Sequence, residues 1–322
     1  GSGDWTITSS ALSDGSHDLT VTATDAAGNT SAASPALTVT VDTTAPTVAV
    51  NSLTTSDTTP ALTGTVDDNN ATVSVTVDGQ TNAATNNGDG TWTLADGTLT
   101  ALADGAFDVS VTATDVAGNA GSDGTSNELT VDTTAPVVTV DTLTTNDTTP
   151  ALSGTVDDTA ATISVTADGQ TNAATNNGDG TWTLADGTLT ALAEGTFDVS
   201  VTATDVAGNA DTDSSTDELV IDTTAPAAPS VPDLDAGSDS GSSNTDDLTS
   251  DTTPSVSGTA EANSSVELFE GATSLGTGTA DGSGDWSITS SALSDGSHDL
   301  TVTATDAAGN TSAASTALTV TV

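Results

Sequence analysis

The fold is decided by the stretch FDVSVTATD at residues 107–115. Apolar and polar residues alternate along it with a period of two, which is the pattern of a β-strand with one buried face. Residues 71–77 show the same alternation with three inward valines. Turn-forming pairs such as Asp78-Gly79 and Asp104-Gly105 separate these runs, because Asp and Gly tolerate the backbone angles of tight turns. The sequence therefore predicts an all-β chain.

Seven short strands per unit are predicted from these alternations and turns. Seven antiparallel strands in a domain of about 100 residues are typical of an immunoglobulin-like β-sandwich. We expect Trp92 with Phe107, and Trp182 with Phe197, to anchor a thin core between the two sheets. In the first full unit the predicted strands are 47–53, 60–66, 71–77, 81–85, 91–95, 106–115 and 127–132.

The sequence is repetitive. The pentapeptide Asp-Thr-Thr-Ala-Pro begins at Asp42, Asp132 and Asp222, which are 90 residues apart. Residues 1–41 match 282–322 almost one for one, so we expect them to be half of a repeat that is frayed or paired with a segment outside this chain. The predicted organisation is an elongated rod of tandem domains. Its parts are a C-terminal half-repeat at 1–41, repeats at 42–131 and 132–221, and a longer, divergent repeat at 222–322 with an acidic insertion.

The charge excludes several functions. The chain has 46 acidic residues and no Lys or Arg, which gives a formal charge of −46. Nucleic acid and anionic membranes bind cationic side chains, so we expect neither as a partner. No apolar run approaches the roughly 20 residues that cross a bilayer, so direct membrane insertion is not expected. Cysteine is absent, which excludes disulfides and thiolate metal sites.

No catalytic group of residues is evident, and we expect that the chain is not an enzyme. Its two histidines, His17 and His298, occupy one position in two copies of the same half-repeat. Each lies beside an acid but without a second base nearby. We therefore interpret both as histidines on a strand surface.

Strand direction predicts where the acids meet. The entering linker, the B–C loop and the start of the F–G loop of a sandwich lie at the same end, so their acids should cluster at each domain joint. Acids at the opposite end, such as Asp57, Asp78, Asp96 and Asp104, are interpreted mainly as turn residues. The predicted joint residues are Asp42, Asp67, Asp68, Asp115 and Asn119 in the first full repeat, Asp132, Asp157, Asp158, Asp205 and Asn209 in the second, and Asp222, Glu261, Asp306 and Asn310 in the third.

These joint residues predict a calcium site. Calcium takes six to eight oxygen ligands, and an oxygen-only set disfavours zinc and copper. Asp115 is in phase with the inward-facing Val109 and Val111, which suits it better for chelation than for facing bulk water. The alternative is that Asp, Asn and Gly simply form turns. The insertion, with Asp233, Asp239 and Asp246-Asp247, indicates an additional ion more weakly, because acidic Ser/Gly runs are often solvated linkers.

The motif Asp-x-Ala-Gly-Asn at 115–119, paired with Asp-Thr-Thr-Ala-Pro, resembles the bacterial immunoglobulin-like repeats of giant RTX-type and biofilm-associated adhesins. That resemblance implies export by type I secretion, an extracellular location on the bacterial cell surface, and calcium at or near the joints. It also implies an extender between a surface anchor and a distal binding tip. Asp42, Asp115, Asn119 and their later counterparts are the residues carried over. The third repeat departs from the pattern, with Glu261 where the others have paired Asp.

We therefore predict a structural spacer for adhesion and biofilm formation, whose partners are calcium and the neighbouring repeats of the same chain. Lateral self-association is left open. Two alternatives are a glycan-binding module, which exposure of Trp92 or Trp182 on a groove would favour, and a lattice-forming surface or matrix protein. Calcium-dependent assembly at a defined spacing would favour the lattice.

Overall fold

The computed structural model describes residues 3–213, 215–241 and 243–322, and it confirms the all-β prediction. Its elements are β-strands joined by turns, and within the described ranges there is no helix that could span a membrane. The chain divides into two compact units. Unit 1 runs to Thr134 and includes Val206–Asn209, while unit 2 contains Ala135–Asp205 and Ala210–Val322.

Unit 1 begins with a two-stranded sheet of β1 (Gly15–Leu19) and β2 (Leu37–Val41). Its apolar face is open: Trp5, Ile7 and Leu37 are each more than 60% exposed, at 65%, 74% and 64%. The third-repeat counterpart of Trp5 is Trp286, which is only 4% exposed. The sequence in this segment is thus that of a core face, although its large apolar side chains are exposed.

The first full repeat is a β-sandwich. One layer has the strand order β3-β5-β8-β7, and the other continues from β7 through β6 and β10 to β11. Strand β7 belongs to both, because its first part pairs with β6 while Thr85 and Asn86 pair with β8. A small sheet, β4-β12-β9, completes the fold. The strands are β3 (Val48–Val50), β4 (Leu53–Thr55), β5 (Leu62–Val66), β6 (Thr72–Val77), β7 (Gln80–Asn86), β8 (Thr91–Leu94), β9 (Gly105–Phe107), β10 (Val109–Thr114), β11 (Ala120–Ser122) and β12 (Leu129–Val131).

The core follows the predicted alternation. Strand β5 buries every second residue, and β10 buries Val109, Val111 and Ala113 while Ser110 is exposed and its threonines are half-buried. Trp92 is fully buried and its indole N–H donates to the carbonyl of Ala49 at 3.0 Å. Each buried Val or Leu side chain contributes about 1.5–3 kcal/mol, so these rows stabilise the sandwich. Phe107 and Phe197 pack against the core but are only partly buried, whereas Trp92 and Trp182 are fully buried within it.

Two predicted strands are broken in the structure. The segment predicted as 47–53 becomes β3, which pairs with β5, and then β4, which pairs in parallel with β12. The segment predicted as 106–115 is interrupted at Asp108, so that β9 pairs with β12 and β10 with β11. At the second break, Glu128 Oε2 accepts the main-chain N–H of Val109 at 3.0 Å. The main-chain N–H of Val109 therefore donates to a side-chain carboxylate instead of to the carbonyl of a neighbouring strand.

Unit 2 contains the second repeat, whose sheets resemble those of the first full repeat, and the third repeat, whose sheets differ. The second repeat has the sheets β14-β17-β16-β15-β19-β20 and β13-β21-β18. Its strands are β13 (Leu143–Thr145), β14 (Leu152–Thr155), β15 (Thr162–Ala167), β16 (Gln170–Asn176), β17 (Thr181–Leu184), β18 (Gly195–Phe197), β19 (Val199–Thr204), β20 (Ala210–Thr212) and β21 (Leu219–Ile221). The third repeat has β22 (Asp233–Leu234), β23 (Ser255–Thr259), β24 (Ser265–Glu270), β25 (Thr273–Thr279), β26 (Asp285–Thr289), β27 (Ser297–Thr305) and β28 (Leu318–Thr321), in the sheets β22-β23-β26 and β25-β24-β27-β28.

His298 is buried, so its interpretation as a strand-surface residue is wrong. It lies on β27 at 7% exposure, with Nδ1 2.8 Å from Glu270 Oε1 and Nε2 2.8 Å from the carbonyl oxygen of Ser294. Both neighbours are acceptors, so the ring satisfies both only when it carries two protons. The carbonyl of Ser294, together with the carboxylate of Glu270, therefore raises the pKa of His298 above its ordinary value.

We predict that Gly64→Ala destabilises the first full repeat by about 1–3 kcal/mol or more, because a Cβ at this position overpacks the core. That atom would lie 2.0 Å from the carbonyl oxygen of Ala49 and 2.6 Å from the indole nitrogen of Trp92. Calorimetry of the whole chain should show one unfolding transition moved to lower temperature. Gly124→Ala is the control, since no atom lies within 4 Å of its Cβ position. Equal transitions for the two variants would contradict the prediction.

We also predict that the third repeat loses stability as the pH rises above about 6.5, the ordinary pKa of histidine. A His pKa that is raised in the folded state gives stabilisation that is complete below the unfolded value of about 6.5 and disappears as the pH passes the folded value. Thermal unfolding across this range should show the dependence in the unaltered chain and in His17→Phe. It should be absent in His298→Phe, which introduces the residue found in the other repeats. A pH dependence that persists in His298→Phe would refute the assignment.

Candidate functional site

The F–G loop of the first full repeat is built around one carboxylate. Asp115 Oδ1 accepts the main-chain N–H groups of Gly118 and Asn119 at 2.7 and 2.8 Å, and its Oδ2 accepts the side-chain amide of Asn119 at 2.8 Å. Gly118 has a φ of +99°, a conformation that favours glycine. The amide of Asn119, followed by the main-chain N–H groups, lowers the pKa of Asp115, so the loop holds an anion in a fixed orientation.

The same asparagine ties the loop to the linker. The Asn119 side-chain amide also donates to the main-chain carbonyl of Asp42 at 3.0 Å. Within unit 1, Asn209 makes the equivalent bond to the carbonyl of Asp132 at 2.7 Å. In unit 2, Asn310 bonds the carbonyl of Asp222 at 2.8 Å. Each predicted Asn therefore donates to a linker carbonyl through its amide nitrogen. Its direct coordination of a metal stays a prediction.

An open groove in unit 1 brings three predicted acids together. Asp42, Asp68 and Asp115 line a space of about 520 Å³. Asp42 Oδ1 accepts the N–H of Thr44 at 3.0 Å, and Asp68 Oδ1 accepts that of Asn70 at 2.8 Å. Each of these carboxylates is therefore held in place by a hydrogen bond within its own loop. The remaining lining residues are Thr40, Asn70, Val116 and Ala117.

Asp67 is not among the residues that line this groove. Its Oδ1 accepts the main-chain N–H of Thr47 at 2.8 Å, while its own N–H donates to the Thr47 carbonyl at 3.1 Å. Asp67 therefore clamps the chain just ahead of β3. In unit 2, Asp157 does the same with Val137, accepting its N–H at 2.7 Å. The first acid of each predicted pair has this structural contact.

The second predicted set is distributed over both units. Asp157, Asp158 and Asp205 belong to unit 2, whereas Asp132 and Asn209 belong to unit 1. Asp158 Oδ1 accepts the N–H of Ala160 at 2.8 Å, as its counterpart Asp68 does with Asn70. Asp132 Oδ1 accepts the N–H of Thr134 at 3.0 Å. Local geometry at these carboxylates thus repeats that of the first set.

The third set lies wholly in unit 2, but the structure does not gather all of it. Asp306 Oδ1 accepts the N–H groups of Ala308 and Asn310, and Oδ2 accepts the Asn310 side-chain amide at 2.9 Å. Burial alone would raise the pKa of Asp306, but these hydrogen bonds, led by that of the Asn310 side chain, outweigh it and the pKa is lowered. Asp222 Oδ1 accepts the N–H of Thr224. Glu261 lines a separate groove that contains none of the other predicted residues.

The sequence interpretation missed acids that bind the linkers from the preceding repeat. Asp104, interpreted as a turn residue, accepts the N–H and hydroxyl of Thr133 at 3.1 and 2.7 Å, and the hydroxyl of Thr134 at 3.3 Å. Glu194 accepts both hydroxyls of the next linker, from Thr223 and Thr224. Asp14 does the same with Thr43 and Thr44. The available signal was an acid-Gly turn at a fixed spacing before each Asp-Thr-Thr.

These bonds favour the ionised acids. The hydroxyl of Thr224 and then that of Thr223 lower the pKa of Glu194, and the hydroxyl of Thr43 lowers that of Asp14. Each linker is thus held twice. Its threonines donate to an acid of the preceding repeat, and its aspartate carbonyl accepts an asparagine amide from the following F–G loop.

The donor chemistry at the groove fits calcium, although the groove is not a closed cage. All its charged groups are carboxylates, which suit a hard cation such as calcium. The second oxygens of Asp42 and Asp68 accept no hydrogen bond within the described residues, so they are available to a ligand. Across those residues, however, no three acidic or histidine side chains lie close enough to hold an ion between them. An ion there would need further oxygens from the main chain or from water.

Comparison with known protein families shows which class of protein this chain belongs to. A sequence model of the bacterial Ig-like domain matches residues 1–43, 48–133, 138–223 and 224–322. The chain therefore belongs to the bacterial Ig-like domain family. No curated protein matches it. The repeat boundaries at residues 42, 132 and 222 stay predictions.

Several solved structures are similar to this chain. One is from a 1.5-MDa bacterial ice-binding adhesin studied for host cell surface retention, with 25% identity, 87% of this chain and 98% of that chain covered, and a TM-score of 0.35. Another is a tetra-tandem repeat in the extending region of a large adhesion protein, with 26% identity, coverages of 97% and 82%, and a TM-score of 0.30. A third is a Ca²⁺-stabilized adhesin of an Antarctic bacterium that binds ice, with 28% identity, coverages of 96% and 81%, and a TM-score of 0.31.

We predict that Asp104→Ala loosens the linker that follows the first full repeat. The substitution removes the acceptor for the amide of Thr133 and for two threonine hydroxyls. Hydrogen exchange at the Thr133 amide should become several-fold faster, because an amide that loses its acceptor opens to water more often. Thr223, whose amide faces Glu194, serves as the reference in the same molecule. Unchanged exchange at Thr133, or equal acceleration at both amides, would refute this role.

Proposed function

We propose that this chain is a structural extender segment of a giant secreted bacterial adhesin. It projects a distal binding tip from the cell surface for adhesion and biofilm formation, and calcium at its domain joints stiffens it. Its role is mechanical, and it carries out no catalysis. Membership of the bacterial Ig-like family and the near-identity of two successive repeats support this proposal. Near-identical copies fit a part whose contribution is length.

The double attachment of each linker is the observation that carries the proposal. A flexible string of domains needs no hydrogen bonds at its linkers, whereas a stiff one must restrict them. Here Asp104 and Glu194 bind the threonines of two linkers, and Asn119 and Asn310 bind linker carbonyls. In unit 2 the amide of Asn146 also donates to the carbonyl of Ala308 at 3.0 Å, which links the second repeat directly to the F–G loop of the third.

Calcium would add to this attachment at the groove of Asp42, Asp68 and Asp115. A cation there would attract the linker acid, the B–C loop acid and the F–G loop acid at once, so that relative motion of these three segments would be restricted. It would also neutralise part of the repulsion in a chain of charge −46. We further propose the bacterial cell exterior as its location, where calcium is plentiful and export by type I secretion would place it.

The glycan-binding alternative lacks its expected feature. Carbohydrate sites use exposed aromatic faces, but Trp92 and Trp182 are both 0% exposed. The lattice alternative would require lateral contacts between chains, and the spacer proposal requires none. Its partners are the neighbouring repeats and calcium.

Small-angle X-ray scattering on the whole chain tests the proposal. In millimolar calcium we expect a narrow distribution of maximum dimensions, and after chelation a broader one, because the joints then lose the ion that restrains them. The triple variant Asp115→Asn, Asp205→Asn, Asp306→Asn should remain broad in calcium. A matched control, Asp96→Asn, Asp186→Asn, Asp285→Asn, removes the same charge at acids outside the three predicted calcium-binding sets and should respond like the unaltered chain.

A scattering profile that chelation leaves unchanged would overturn calcium stiffening. Calcium-dependent growth of the scattering mass would instead favour the lattice. Equal behaviour of the joint and control variants would show that calcium acts only by general charge screening.

A further inference from the structure

The insertion of the third repeat is fastened to the sandwich at both ends. At its start, the amide of Asp235 donates to the carbonyl of Ser255 and the amide of Asp239 donates to that of Asp235. Towards its end, Thr249 and Asp247 exchange main-chain hydrogen bonds with Thr321 of β28, at 2.9 and 3.0 Å. The insertion is therefore an ordered part of this repeat, which distinguishes it from a solvated linker.

Within the insertion, Asp239 is unusual because its carboxylate is buried. This side chain is only 6% exposed, and its Oδ2 accepts the amide of Asp246 at 3.3 Å. Its Oδ1 is buried and has no hydrogen-bond partner among the described residues. A buried carboxylate oxygen without a partner is strongly destabilising. The chain has no Lys or Arg to pair with it, and His298 already pairs with Glu270.

Other oxygens gather around the same segment. Asp246 lies against Asp239, because its main-chain N–H donates to Asp239 Oδ2 at 3.3 Å, and the half-buried Asp247 follows it in the chain. Asp246 Oδ1 and the carbonyl oxygens of Ser243 and Leu248 also converge on Gly241, where a Cβ would meet them at 3.4, 3.6 and 3.6 Å. Carboxylate and carbonyl oxygens thus face one small region from several directions.

We propose that this insertion is a calcium site of its own, separate from the domain joints, with the free Oδ1 of Asp239 as a central ligand. Asp246 and Asp247 are the other carboxylates best placed to contribute. Among the residues that the structure describes, no three acidic side chains are near enough to form the site alone, so carbonyl and hydroxyl oxygens of the insertion complete it. Calcium suits this irregular mixture better than magnesium, which demands near-ideal octahedral geometry.

The proposed ion would fasten the insertion to β28. The insertion approaches β28 through Asp247 and Thr249, which flank the bridge between Leu248 and Thr321. Binding at Asp246 and Asp247 would therefore order the segment that covers this sheet edge. The 90-residue repeats have no such insertion, so the site belongs to the long repeat alone.

Counting bound calcium on the whole chain tests the proposal. Equilibrium dialysis at saturating calcium should give one ion fewer for Asp239→Asn than for the unaltered chain. Asp285→Asn, which removes one exposed charge from the same repeat, should bind the full number. Equal numbers for Asp239→Asn and the unaltered chain would overturn the site.

A second measurement needs no variant and so remains decisive if Asp239→Asn fails to fold. Calcium should slow hydrogen exchange at the amides of Asp246 and Thr249 in the unaltered chain, because the ion orders the insertion. Exchange at these amides that is the same with and without calcium would also overturn the proposal. The scattering response of the joints is independent of this result, since Asp239→Asn leaves every joint residue in place.

Discussion

The lack of any Lys or Arg to pair with 46 acidic residues is the constraint on which the rest of this structure depends. With no Lys or Arg, a carboxylate can be satisfied only by neutral donors, water, a histidine or a dissolved cation. The chain uses neutral donors repeatedly: Asp42, Asp57 and Asp68 each accept the amide two residues ahead. Hydrogen bonds to charged acceptors are stronger than neutral ones. Each of these acids therefore stabilises the turn in which it lies, because its negative charge strengthens the hydrogen bond that closes the turn.

The linkers extend the same chemistry beyond the single domain. Threonine hydroxyls bind an acid of the preceding repeat, and the linker carbonyl binds an asparagine amide of the following loop. A salt bridge could make such a joint, but it would need a cationic residue that this composition lacks. Neutral donors also leave the anionic charge uncompensated. The joint is thereby specific in geometry and still negative, which are the two conditions that would make it respond to calcium.

Sequence alone predicted the features that depend on local pattern. Alternation gave the all-β class, and strand direction brought Asp42, Asp68 and Asp115 to one groove. The sequence could not show which of Asp67 and Asp68 lines the groove, because neighbouring loop residues point in different directions. Only the fold shows that Asp67 contacts Thr47. The burial of His298 could not be predicted for a similar reason. Its partner Glu270 lies 28 residues away, and no local pattern connects them.

The first full repeat and the divergent third repeat form two different edges at the same place in the fold. In the first full repeat Glu128 takes the amide of Val109, and Leu129 pairs with Phe107. The third repeat has Ala317 at the position of Glu128, which cannot accept that amide, and β27 runs unbroken from Ser297 to Thr305. Leu318, the counterpart of Leu129, then pairs with Leu300, the counterpart of Val109, so the register differs by two residues. A two-residue shift keeps the same side chains facing inward. The loop before the last strand also differs, because eight residues separate Asn119 from Glu128 but only six separate Asn310 from Ala317. The core therefore tolerates both arrangements, and loop length and the buried carboxylate differ together between them.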